Sequence, residues 1–151
     1  MPESKMAQLV EKAENSFGAQ VVEGFVNPTL SVAPENLVEL LKYLKDNDLV
    51  SFNYLLDLTA VDQKDHFVLV YHLRSVDSKV SLGIKVSVDR DTPKVPSVTS
   101  LWKGANWHER EAFDLFGIEF AGHPNLTRIL LPEDWVGHPL RKDFTTSGAS
   151  S

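Results

Sequence analysis

Residues 67–88 read FVLVYHLRSVDSKVSLGIKVSV, and the reading of this stretch decides the fold. Phe67 to Leu73 is apolar on both faces, the pattern of a strand covered on each side. Val80, Leu82, Ile84, Val86 and Val88 alternate with Lys79, Ser81, Gly83, Lys85 and Ser87, so one face of a second strand is wet. The SVDS link between them is short enough for a hairpin, which makes the pair antiparallel. Just upstream, Val50 to Val61 places Phe52, Tyr54, Leu56 and Leu58 on one face of a third strand. That strand joins the pair through DQKD, again by a hairpin. Burying each Val, Leu or Ile contributes roughly 1.5–3 kcal/mol before chain entropy is counted, so these three strands are expected to hold the fold together.

Working outward, Met6, Leu9, Val10, Ala13 and Phe17 fall on one face of a helix that Gly18 would stop. Residues 20–26 and 29–33 read as two short strands about an Asn27-Pro28 turn. Pro34 suits the first turn of a second helix. Leu37, Leu40, Leu41 and Leu44 form its buried stripe, with Glu39 and Lys42 facing solvent. Both helices read as cover for one face of the sheet. Residues 89–106 read as a loop with Trp102 as its one large anchor. The order implies an α+β fold: a two-layer domain with a mixed, largely antiparallel sheet covered by helices. An α+β region over residues 1–120 and an extended C-terminal arm over 121–151 are expected to form one domain.

At 151 residues with 42% hydrophobic content, the chain can bury a real core and is not a disordered polymer. A formal charge of -6 argues against nucleic acid as a direct partner, which calls for a basic stripe. The absence of cysteine excludes disulfides, thiolate zinc sites and cysteine-ligated iron–sulfur clusters within this polypeptide. The N-terminal residues lack the basic-then-apolar pattern of a signal peptide. No apolar run approaches the roughly 20 residues that span a bilayer. These features predict a chain that is cytoplasmic, or peripheral to something membrane-bound.

Residues 109–144, EREAFDLFGIEFAGHPNLTRILLPEDWVGHPLRKDF, carry the functional information. Asn106 reads as an N-cap with Glu109 at the third helical position, as in a capping box. Glu109, Glu111 and Asp114 then sit toward the positive end of the helix dipole. Ala112, Phe113, Leu115 and Phe116 supply the buried side, and Gly117 is the expected stop. From Ala121 onward about thirty residues lack any secondary-structure period, and a run of that length is usually functional or disordered. Trp135, Leu140 and Phe144 argue against disorder. An arm laid across another protein fits both facts.

Three chemical readings compete with docking. His108, His123 and His138 lie near several carboxylates, but their spacing matches no zinc motif, and HERE is not HExxH. Histidines clustered without ligand spacing ordinarily bond backbone or pack in turns. Glu109, Glu111 and Asp114 with a histidine could do acid–base work if burial separated their pKa values. With Arg110 beside them, a structural ion-pair network explains the same residues. Arg128, Arg141 and Lys142 could bind an anion, yet Asp134, Asp143 or a partner's carboxylates would satisfy them equally. No phosphate loop, dinucleotide fingerprint or Ser–His–Asp spacing is present.

The run Glu109-Arg110-Glu111, Asp114, Gly117-Ile118, Gly122-His123-Pro124, Arg128-Ile129-Leu130, Pro132-Glu133-Asp134-Trp135 and Pro139-Leu140-Arg141-Lys142-Asp143-Phe144 resembles the C subunit of NADH:quinone oxidoreductase, respiratory complex I. This is the hydrophilic 30 kDa subunit family. The resemblance is dense over residues 107–144. It continues upstream through Phe52-Asn53-Tyr54-Leu55, Val70-Tyr71-His72-Leu73, Pro96-Ser97-Val98 and Trp102. It implies a polypeptide with no cofactor of its own, in the peripheral arm on the cytoplasmic face of the membrane. Implied partners are the B and D subunits of the quinone module and, beside them, the ferredoxin-like I subunit. Flavin, iron–sulfur clusters and quinone belong to those partners, and electron transfer to quinone is coupled to proton translocation by the assembly.

On this reading Glu109, Arg110, Glu111, Asp114, His123, Arg128, Asp134, Trp135, His138, Arg141, Lys142, Asp143 and Phe144 are docking residues, and none is catalytic. Two departures stand out. Thr127 replaces a residue that is usually basic in the family, so one charged contact is missing or replaced. The chain also ends seven residues after Phe144, so a C-terminal strap over the neighbouring protein is not expected. The equivalent polypeptide of a membrane-bound nickel–iron hydrogenase or a deazaflavin-dependent dehydrogenase is the alternative within this architecture. A stand-alone metal-dependent enzyme using His108, His123 and His138 is the alternative outside it.

Overall fold

The computed structural model describes residues 2–23, 27–124, 126 and 138. In chain order these form α1 (Pro2–Phe17), β1 (Gln20–Val22), β2 (Thr29–Ser31), a 3-10 turn (Pro34–Asn36), α2 (Leu37–Asp46), β3 (Tyr54–Asp62), β4 (His66–Ser75), β5 (Val80–Asp89), β6 (Lys94–Pro96), α3 (Ala105–Phe116) and β7 (Glu119–Ala121). Five strands make a sheet in the order β1-β2-β5-β4-β3. Its pairs are antiparallel except for β2 with β5, which run parallel. The α+β class and the largely antiparallel mixed sheet are therefore as expected.

Pleating sorts the apolar residues by face. Phe67, Leu69, Tyr71 and Leu73 of β4 lie opposite Val88, Val86, Ile84 and Leu82 of β5, and all eight join one core with Leu9, Ala13, Leu37, Leu40, Leu41 and Leu44 of the first two helices. Val68 and Val70, buried on the opposite pleat, are not part of that core. The helices thus cover one face, as the amphipathic stripes predict. At one end of this sheet the Arg90 guanidinium lies 5.2 Å from the Phe67 ring centroid and pairs with buried Asp62.

Local geometry shows why the elements stop where they do. Gly18 takes φ 69°, a left-handed stop to α1, and Ala19 N–H bonds back to the Ala13 carbonyl at 3.2 Å. The Asn36 side chain donates to the Phe17 carbonyl, and the Phe17 and Tyr43 rings lie 5.6 Å apart, tying α1 to α2. Gly83 is needed for another reason. A Cβ there would stand 2.8 Å from Thr29 Oγ1, so a side chain would push β2 off β5.

Four expectations require correction. Tyr54 and Leu56 are 53% and 43% exposed rather than sharing a buried face with Phe52 and Leu58. A register shift between Leu55 and Asp57 inserts one residue, which turns Leu55 and Leu58 into the core, and β3 begins only at Tyr54. Secondly, residues 89–106 are not simply a loop on Trp102. Val95 and Val98 are buried beside it, and β6 pairs in parallel with β7 in a separate two-stranded ribbon. The other two concern α3. Gly104 occupies the N-cap and no side chain caps it, so Asn106 is the second helical residue and Glu109 the fifth. The first turn carries no acid, which removes the dipole argument for Glu109, Glu111 and Asp114. Finally, the fully buried residues of α3 are Ala105, Glu109, Ala112 and Asp114, not Phe113, Leu115 and Phe116. Part of the strand expected over 20–26, residues 24–26, lies outside the described residues. So does the arm beyond Leu126, apart from His138.

Candidate functional site

The third helix lies against β3 and carries the acidic cluster between the sheet and the β6–β7 ribbon. Ala105, Glu109 and Ala112 recur at helical spacing on the buried side of α3, and partly buried Phe116 meets the Phe67 ring edge-on at 6.0 Å. Glu109 sits in the middle of that buried stripe with 0% exposure. A buried carboxylate is costly unless hydrogen-bonded, and this one is bonded at both oxygens. The Ser97 hydroxyl donates to Oε1 at 2.6 Å, and Val98 N–H donates to Oε2 at 2.7 Å. Ser97 Oγ also meets the Thr99 hydroxyl at 3.0 Å. Glu109 therefore clasps the loop that follows β6; it does not cap its own helix.

Burial outweighs these two bonds in setting its acidity. The Glu109 carboxyl is pushed up from 4.5 to about 7, chiefly by loss of water, with the bonds from Ser97 and Val98 opposing the rise. The Tyr71 hydroxyl is buried without a hydrogen-bond partner among the described residues. Its pKa is raised well above the usual value by burial and then by the charge of Glu109.

The remaining described candidates fall into two groups. His123 brings its Nε2 to 4.0 Å from Glu109 Oε1 and 3.5 Å from the Asn106 carbonyl oxygen. Burial lowers the His123 pKa; the Asn106 bond opposes that fall and the Arg110 charge adds to it. Asp114 is wholly buried near the other end of α3, where His138 Nδ1 donates to its carbonyl oxygen at 2.8 Å. The His138 ring lies 5.9 Å from that of Phe113. It also lies over Gly117, whose φ of 78° closes the helix and where a Cβ would come within 2.8 Å of the imidazole. At His138, then, the arm returns to its own helix. Glu111 borders a cleft of about 190 Å³ between α3 and β3. Arg110 is half-buried.

Among the described residues, no group of three or more His, Asp or Glu side chains is placed to hold a metal ion. His123 and His138 face opposite ends of α3, and His108 joins neither contact. Arg128, Asp134, Trp135, Arg141, Lys142, Asp143 and Phe144 lie outside the described residues. Reading the residues alone missed Ser97 and Val98 as partners of Glu109, and Tyr71 as a buried hydroxyl that feels its charge. Their signal was present in the Pro96-Ser97-Val98 and Val70-Tyr71-His72 matches to the family, but nothing in the spacing joined them to α3.

Glu109 is thus spent on the chain's own loop, within an α+β module of a five-stranded sheet and a two-stranded ribbon. The model of the respiratory-chain NADH dehydrogenase 30 kDa subunit family matches residues 30–150. The chain is 51% identical over 142 residues to the NADH-quinone oxidoreductase C subunit of Moorella thermoacetica, covering 92% of this chain and 95% of that one. It is 52% identical over 115 residues to the corresponding protein of a Roseiflexus species, covering 74% of this chain and 66% of the relative. A trypsin-resistant fragment of Nqo5 superposes with a TM-score of 0.70 at 30% identity, over 81% of this chain and 99% of that fragment. A chain of an archaeal membrane-bound sulfane sulfur reductase superposes with a TM-score of 0.78 at 27% identity, over 96% of this chain and 86% of that one. The chain belongs to the respiratory-chain NADH dehydrogenase 30 kDa subunit family, and as such is part of a complex I-type assembly.

Proposed function

We propose that this chain is a non-catalytic docking subunit of the peripheral arm of a complex I-type enzyme, on the cytoplasmic face of the membrane. It binds the B and D subunits of the quinone module and adjoins the ferredoxin-like I subunit. Flavin, iron–sulfur clusters and quinone reside in the partners, and the assembly couples electron transfer to quinone with proton translocation. The observation that carries this reading is the sealing of Glu109. The carboxylate most suited by its pKa to acid–base work has 0% exposure and spends both oxygens on its own loop. No helix among the described residues is long and apolar enough to cross a membrane, which agrees with a peripheral position. Trp107, Tyr54, Leu56 and Val61 are exposed and offer apolar surface to neighbours.

Glu109 and Asp114 are buried inside the chain, so the docking residues are the others named from the sequence, with Arg128 and Arg141 as the charges to test first. Replacing Arg128 or Arg141 with Glu should abolish co-purification of the B and D subunits, because removing one partner of a buried ion pair costs about 3–5 kcal/mol. An undiminished complex would show that the arm is not the contact. The likeness to a chain of a sulfane sulfur reductase favours a second reading, in which the same module serves a related membrane complex such as a nickel–iron hydrogenase or a deazaflavin-dependent dehydrogenase. Recovery of a hydrogenase or deazaflavin-binding protein in place of the quinone module would select it.

A further inference from the structure

The two edges of the five-stranded sheet differ. β1 has three residues, whereas β3, at the other edge, has nine. Long edge strands are ordinarily guarded by lysine, proline or a bulge. Residues 46–63 contain no Lys, Arg or Pro, and the one bulge, between Leu55 and Asp57, lies in the first half of β3. Beyond it the register is regular to Asp62. At the hairpin end Gln63 N–H donates to the His66 carbonyl at 2.9 Å. Antiparallel alternation counted from that pair turns the backbone N–H and C=O of Leu58 and Ala60 away from β4. Both residues line the cleft of about 190 Å³ whose other wall is α3, through Glu111, Ala112, Leu115 and Phe116. Trp107, Glu111 and Leu115 recur at four-residue spacing, one stripe beside the cleft, and Trp107 is exposed. On β3 itself Tyr54, Leu56 and Val61 are exposed.

We propose that β3 takes an extended segment of a neighbouring subunit as a sixth strand, laid along residues 58–62 over the cleft, so that the sheet continues across the interface. This rests on the reading of the chain as one subunit of an assembly. Charge selects the occupant. Residues 46–63 hold four aspartates and no Lys or Arg. Asp62 pairs with Arg90 and Asp57 with His72, but Glu111 at the cleft has no ion-pair partner among the described residues. The incoming segment is therefore apolar where it meets Leu115 and Phe116 and carries a lysine or arginine for Glu111. A second copy of this chain would instead bring Glu111 and the same aspartates against their own kind, which Coulomb repulsion opposes.

Hydrogen–deuterium exchange of the native complex and of the isolated full chain tests this without any substitution. The Leu58 and Ala60 amides should exchange about 100-fold or more slowly in the complex. A photo-crosslinker in place of Thr59 should join a single extended segment of another subunit, one that contains a lysine or arginine. Ala60→Pro removes an outward N–H at an edge, where proline is tolerated, and Glu111→Lys reverses the charge at the cleft. Each should cut recovery of that subunit about tenfold, while the isolated variant keeps the exchange pattern of β4 and β5. Equal exchange of the two amides with the partner subunits present overturns strand addition and leaves the docking reading intact. Protection of the same amides in a dimer of the isolated chain, or a cross-link into a helix, overturns it as well. A chain recovered from its cells without any partner overturns both.

Discussion

At the residue scale, Glu109 shows how burial and hydrogen bonding divide a carboxyl's fate. Its two bonds hold the loop after β6, while the loss of water makes its charged form expensive. The folded state therefore binds a proton more tightly than the unfolded chain, where the group keeps its ordinary value of 4.5. With the folded value raised, the stability contributed by the neutral acid is complete below pH 4.5 and is lost as pH rises toward about 7. At about 1.4 kcal/mol per pH unit, that interval amounts to roughly 3 kcal/mol. Glu109→Gln mimics the protonated form, since its amide can donate to Ser97 Oγ while its oxygen accepts from Val98. Urea melts should show the wild type losing about 3 kcal/mol relative to this variant between pH 4.5 and pH 7.5. Parallel pH curves for the two proteins would place the ionisation elsewhere. Gly117 makes a second, simpler case. Gly117→Ala must hold φ at 78° with a Cβ against the His138 ring. A cost of at least about 1–2 kcal/mol is expected, and His138→Ala should recover only the steric part.

The elements were legible to different degrees, and the differences have physical causes. Stripes such as Leu37, Leu40, Leu41 and Leu44 extend over several turns, so the 3.6-residue period declares them without tertiary knowledge. The β4–β5 hairpin was equally plain, since one strand is apolar throughout and the other alternates. β3 misled because a single extra residue at the bulge reverses every later side chain, and period counting cannot detect it. β6 and β7 have three residues each, too few for any period, and pair across α3. The capping-box reading of Glu109 failed because its spacing is the same as that of a buried stripe when the helix begins earlier, at Ala105. Only the packing of β6 distinguishes the two. The close approach of β2 to β5 gives a test of the same kind. Gly83→Ala should cost about 1–3 kcal/mol through overpacking against Thr29, and Thr29→Ala should restore much of it by removing Oγ1. Additive losses in a double-mutant cycle would mean that the two side chains do not meet.

For the whole molecule, the organisation is that of one subunit of a complex I-type assembly. A one-faced sheet and three helices make a stable platform. Glu109 and Asp114 of α3 are buried inside it, and the segment with the densest family resemblance runs on from β7 into the arm. Of the arm's described candidates, His123 lies by Asn106 and Glu109 and His138 lies over the C-terminal end of α3. The most direct measurement is affinity isolation of the tagged, full-length chain from its own cells under mild detergent, with identification of the proteins retained and assay of NADH:quinone oxidoreductase activity. The account predicts that the B and D subunits are recovered in equal proportion to the chain, together with that activity, and that Arg141→Glu loses both. A chain recovered alone, or one carrying a tightly bound metal ion and acting without partners, would contradict it.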